Sequence, residues 1–267
     1  SISGLGYVTF TDGHDDITPN QRECEAYGYT YDPNTGTCST FSFNTNLNKN
    51  INNINNTLKG SQNTSETGTN NNLLLGENNT VRSGSRNNLI VGSENEITNE
   101  INNTTVVGTL GLSTANNSIV LGGNAGADVL GERQSIQLMY GTQTKAGSTV
   151  DSYLNNTTDS YFVIPDNSIM YFHADVIAVR VGGTAAEGAV GDYASWVERG
   201  VVINKSGSLT VNRERDAIKS SGTVTDWRPT ANASGTNFRM TVRGETDTTI
   251  EWNSNITFTE IKTGVAL

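Results

Sequence analysis

Residues 71–76 read NNLLLG and residues 87–92 read NNLIVG, sixteen positions apart. Aligned on their glycines, TLKG ends at Gly60, LLLG at Gly76, LIVG at Gly92, TVVG at Gly108 and IVLG at Gly122. The position four before the glycine is Asn56, Asn72, Asn88, Thr104 and Ser118. After the glycine come GSQN, GENN, GSEN and GGN, and in two units an apolar residue follows, Val81 and Ile97. Each unit is therefore one short apolar strand, a glycine turn, a polar Asn turn and in places a second short strand. Asn and Gly both tolerate left-handed backbone, so each corner can be tight. Three apolar residues in a unit of this length close no core alone. Stacked coils do, with amides laddered between turns.

Composition fits such stacking. Hydrophobic residues make up 34% and charged residues 16% of 267; a globular chain has roughly 45–50% of the former. The balance is polar and neutral, with 28 glycines and a large excess of Asn. A chain poor in both classes gains stability by repeating backbone and amide hydrogen bonds, or by burying apolar faces against other copies of itself. Both routes point to an elongated oligomer. The net charge of −10 argues against a nucleic-acid partner, which needs clustered Lys and Arg. No apolar run approaches the ~18 residues of a membrane helix, so no membrane insertion is expected. The opening SISGLGYVTF has no basic segment followed by a long apolar run, so no signal peptide is expected in it.

The repeats over residues 56–124 resemble the head repeats of trimeric autotransporter adhesins and the trimeric β-rolls of phage tail fibres. In those, short strands of three chains wind round a shared axis. The resemblance implies a homotrimer whose shaft core holds Leu73, Leu75, Leu89, Val91, Val107, Ile119 and Leu121, with the triplets such as Leu89-Ile90-Val91 mostly facing inward. A monomeric β-solenoid uses similar letters.

Five segments follow. Residues 1–43 form an N-terminal segment in which Cys24 and Cys38 bracket EAYGYTYDPNTGT. Asp32-Pro33-Asn34-Thr35-Gly36 is a turn signal, so a hairpin is expected with the cysteines at its two ends. They form a disulfide or remain two buried thiols; the spacing fits no zinc or redox motif. Over residues 44–58, Leu47, Ile51, Ile54 and Leu58 are spaced 4, 3, 4. That is the seam of a short trimeric coiled coil or another irregular repeat. Residues 59–126 are the repeat shaft and residues 127–160 a connector. Residues 161–267 read as strands separated by turns such as Pro165-Asp166-Asn167, a β-sandwich or jelly roll. The fold class is all-β.

Motifs for chemistry are sparse. His173 and Asp175 share one face of a strand, a pattern of structural hydrogen bonding. Asp12, His14, Asp15 and Asp16 are dense in acid but lack the spaced carboxylates of a calcium loop. Glu198, Glu214, Asp216 and Asp226 are the carboxylates available to a glycosidase, which needs a pair about 5–9 Å apart. Nothing local singles out such a pair, so no catalytic residue, metal or cofactor is expected. Tyr193, Trp196 and Trp227 are candidate glycan contacts, because aromatic rings stack on sugars, and Tyr171 and Trp252 belong to the same group. The order of modules resembles a tail fibre or spike of a tailed bacteriophage. It implies a non-enzymatic, homotrimeric component on the virion exterior. Its partners are other virion proteins and a host-surface glycan or protein. A bacterial adhesin fragment and a polysaccharide-depolymerising tailspike are the alternatives.

Overall fold

The structure, a computed structural model, describes residues 7–11, 13–33, 35–39, 55–123, 129–221, 224 and 226–262. The chain divides into two compact units, Ser1–Ile51 and Asn52–Leu267.

In the first unit, β1 (Phe10–Thr11) pairs with β2 (Asp16–Ile17), and β3 (Thr30–Asp32) pairs with β4 (Thr37–Ser39), all antiparallel. Between the pairs lies the helix α1 (Gln21–Ala26), capped by the Asn20 side chain accepting from the Glu23 amide. Cys24 and Cys38 are disulfide-bonded with Cα atoms 5.8 Å apart, and both are buried with Val8. The expectation that they sit at two ends of one hairpin is corrected. Cys38 is on β4, whereas Cys24 is on α1, because Asn20 supplies the helix cap before the chain reaches the hairpin.

The second unit begins as a β-solenoid. Its first face stacks β5 (Thr57–Ser61), β7 (Leu73–Glu77), β9 (Leu89–Ser93), β11 (Thr105–Thr109) and β13 (Ile119–Gly123) in parallel register, Gly76 beside Gly92 and Gly92 beside Gly108. The second face stacks β6 (Thr64–Ser65), β8 (Thr80–Val81), β10 (Glu96–Ile97) and β12 (Leu112–Ser113). Single bridges join Asn70, Arg86 and Asn102 on a third side. Asn71, Asn87 and Asn103 turn one corner with φ of 56, 57 and 58°, where Asn pays little for left-handed backbone. Of the segment expected as a coiled coil, residues 44–54 lie outside the described residues, and Leu58 is in the strand β5 rather than a helix.

Amides carry much of the cohesion. Asn88 Oδ1 accepts from the Thr104 amide at 2.9 Å, and its Nδ2 donates to the Ile101 carbonyl at 2.9 Å. Asn72 Oδ1 accepts from the Asn88 amide at 3.0 Å in the same way. A second column runs through Asn63, Asn79 and Asn95 and ends at the Gly111 amide. Each side chain supplies the hydrogen bonds that a corner withholds from the next coil, so buried backbone stays satisfied. The glycine of each rung is set by contact as well as by φ. A Cβ on Gly92 would lie 1.9 Å from the Gly108 carbonyl oxygen.

Inside the coils lie Leu74, Ile90, Val106 and Val120, with Val81 and Ile97 opposite. Within one chain this corrects the expectation that whole triplets face inward. Strand side chains alternate, so only the middle residue of each triplet points inward. Leu73, Leu75, Leu89 and Val91 are partly buried, and Val107, Ile119 and Leu121 are 37, 48 and 54% exposed. Together they form an outward apolar band.

The connector expected over residues 127–160 is corrected too. It contains β14 (Arg133–Thr144) and β15 (Thr149–Leu154). β14 pairs antiparallel with β13, so the solenoid's first face runs straight into a sheet. That sheet continues through β22 (Thr248–Lys262), β17 (Ser168–Gly183), β18 (Tyr193–Lys205) and β19 (Ser208–Ser220). β16 (Phe162–Val163), β20 (Arg228–Ser234) and β21 (Asn237–Arg243) form, with β15, a smaller sheet. Phe238 on β21 meets Phe172 and Phe258 of the larger sheet at 5.2 and 5.0 Å, so the two sheets pack as layers with aromatic rings between them.

Candidate functional site

The larger sheet gathers most of the residues with candidate roles. Trp196 on β18 stacks on Trp252 of β22, centroids 5.6 Å apart, and Trp227 lies 6.3 Å from Trp252. Their indole N–H groups are used internally: Trp252 donates to Thr144 Oγ1 at 3.0 Å and Trp227 to Glu245 Oε2 at 3.1 Å. Trp196 and Trp227 are buried. Both rings belong to the core, and both also line a cavity of about 380 Å³ with Ile218 and Lys219. The signal was present in the sequence, since Ala194, Trp196 and Val202 share the inward parity of β18. Tyr193 has the other parity and is 40% exposed.

The carboxylates do not converge. Glu198 is buried on the inner face of β18, with Arg213 Nη1 3.4 Å and Arg215 Nη1 3.9 Å from its Oε1. Burial pushes its pKa up, against the pull of both guanidiniums. Glu214 and Asp216 sit on the outer face of β19, where Arg199 Nη2 reaches them at 3.6 and 3.0 Å. The sheet itself stands between Glu198 and that pair, so they cannot flank one glycosidic bond. Asp226 is exposed in the loop before β20. His173 Nε2 lies 3.2 Å from Asp175 Oδ1 on the outer face of β17. Asp12 lies outside the described residues. Among the described residues no group of three or more His, Cys, Asp and Glu is placed to hold a metal.

Two features were not foreseen. Glu260 on β22 is buried, and burial raises its pKa to about 7. Gln134 donates to it at 2.6 Å while accepting from the Leu112 amide at 2.9 Å. One side chain thus joins the last short rung of the solenoid to the sandwich. No sequence spacing announces a contact between residues 126 positions apart. The second feature is the outer face of β17, where Ile169, Tyr171, Ile177 and Val181 are all exposed. Its signal was legible: SIMYFHADVIAVRVGG is apolar at most positions of both parities. That is the pattern of a strand covered on two sides.

The chain is similar to phage tailspikes. The solved structures include the tailspike of Acinetobacter baumannii phage AM24, at 9% identity and a TM-score of 0.30, covering 80% of this chain and 51% of that one. Another is a tailspike of Acinetobacter baumannii bacteriophage Fri1, described as a capsular polysaccharide depolymerase. It has 6% identity and a TM-score of 0.25, covering 76% of this chain and 56% of that one. The chain thus spans about half the length of these structures. By sequence it matches no family model and no curated protein.

Proposed function

We propose that this chain is a structural part of a phage tail fibre or spike, present as a homotrimer on the virion exterior and contributing to attachment at a host surface. The observation that carries this reading is the outward band of Leu73, Leu75, Leu89, Val91, Val107, Ile119 and Leu121. A rod of Asn-laddered coils that keeps its apolar residues outside is suited to lie against identical rods. Every rung of a second copy repeats at the same strand spacing. In this reading residues 1–43 attach to other virion proteins, and the sandwich forms a tip or clamp that meets a host glycan or protein, with Tyr193 as its aromatic contact.

Mass photometry of the purified chain tests the assembly, and a trimer is expected. Incubation with host cells and their surface polysaccharide, following binding beside reducing-end release, tests the role. Binding without release is expected. A monomer with no affinity for the host surface sinks the reading, and steady release replaces it with a depolymerase.

A further inference from the structure

We propose that the outer face of the sandwich's larger sheet, β14, β22, β17, β18 and β19, is where a second copy of this chain docks. This rests on the homotrimer reading above and says which surface does most of the work.

The first argument is the chemistry of the face. β17 lies inside the sheet, between β18 and β22. Its inward residues Met170, Phe172, Ala174, Val176 and Ala178 are buried. Its outward residues are also largely apolar, with Ile177 and Val181 47 and 46% exposed. Register extends the patch sideways: Ile169 is opposite Ile203, and Tyr171 is opposite Val201. A single antiparallel sandwich normally keeps polar residues on its outer face, and exposed apolar surface on both sides of His173 and Asp175 marks an interaction site.

The second argument is charge. In a chain of net charge −10, two copies repel unless the contact surface is locally balanced. Beside the apolar residues of β17, Arg199 and His173 already have acidic partners. Arg199 is 3.0 Å from Asp216, and His173 is 3.2 Å from Asp175. Docking across β17 and β18 therefore buries the Arg199 guanidinium with a partner, which is the condition a buried charge must meet.

The third argument is area. Five strands of five residues give the solenoid's first face only about 400 Å² at strand spacings of about 4.8 Å and about 3.3 Å per residue. The strands of the larger sheet run 12, 15, 16, 13 and 13 residues. At the same spacings that face covers about 1,100 Å². A stable interface takes about 800 Å² from each partner. The band alone falls short, and the sandwich face does not.

The experiment compares Ile177→Glu/Val181→Glu, placed on the sandwich face, with Val91→Glu, placed on the solenoid band, by mass photometry at sub-micromolar concentration. All these side chains point away from the intrachain core, so far-UV circular dichroism is expected to stay unchanged. The sandwich pair is expected to weaken association about 100-fold or more, as loss of interface anchors does, and Val91→Glu to weaken it by a smaller factor. A photo-crosslinking residue at position 171 is expected to join two chains. That measurement holds even if the glutamate pair disturbs folding. An oligomer that survives the sandwich pair, and that crosslinks only within one chain at position 171, overturns the placement while leaving the homotrimer standing. A monomeric wild type overturns both.

Discussion

Replacing Asn88 with Ala removes one rung of the internal amide ladder and nothing from the apolar core. The side chain makes two hydrogen bonds, to the Thr104 amide and to the Ile101 carbonyl, both at 2.9 Å. The two losses are unequal. The Ile101 carbonyl still accepts from the Arg86 amide at 3.3 Å, so it keeps one partner. The Thr104 amide loses its acceptor, and Thr104 is buried. A buried orphaned donor costs about 1–3 kcal/mol, and the second lost bond adds about 1 kcal/mol. The expected destabilisation is therefore about 2–4 kcal/mol. The neighbouring Asn87→Gly is the control: its side chain is exposed, and Gly takes its φ of 57° at no steric cost. Urea denaturation followed by circular dichroism measures both, and hydrogen exchange at the Thr104 amide reports the site directly. The amide is expected to lose protection in Asn88→Ala and keep it in Asn87→Gly. If Asn88→Ala melts within about 0.5 kcal/mol of wild type, surface-like behaviour replaces the ladder as the account of this residue.

Gly92→Ala places a Cβ 1.9 Å from the Gly108 carbonyl oxygen at a φ of +132°. It should cost more than Asn88→Ala, with a large loss of soluble protein or of thermal midpoint in a melting scan. Glu260 gives a pH dependence of defined sign. Its folded pKa is about 7 against a reference of 4.5, so the folded state holds the proton more tightly. Its stabilising contribution is complete below about pH 4.5 and is lost as pH rises through about 7, on the order of 3 kcal/mol in all. Glu260→Gln should flatten the slope of the urea midpoint between pH 5 and pH 8; an unchanged slope refutes the assignment to this carboxyl. Reducing Cys24–Cys38, separated by 14 positions, should cost the first unit about 3 kcal/mol. Hydrogen exchange should then rise at α1 and β4, with no change in the solenoid amides around Asn88.

The coils are legible in the repeat. Sixteen-residue spacing of N-[LIV]-[LIV]-[LIV]-G requires a short strand and tight corners in each unit, because Asn and Gly are the residues that tolerate left-handed backbone. The rungs stack in that register, Leu74 beside Ile90 beside Val106. Which side of each strand is the core follows from the packing of the coils instead. A run such as Leu89-Ile90-Val91 is apolar at both parities, so the period-2 rule that normally assigns faces has nothing to act on. The same ambiguity applies to β17, which is apolar at most positions of both parities. The connector was misread for a related reason: β14 owes its place to pairing with β13 on one side and β22 on the other, and its own residues, RQSIQLMYGTQT, carry only a weak alternation. Glu260 was silent in the sequence because its raised pKa comes from burial, and burial depends on which layers close over a strand. Periodicity fixes what a segment repeats with. What it faces depends on the partners that the rest of the chain, or another copy of it, brings alongside.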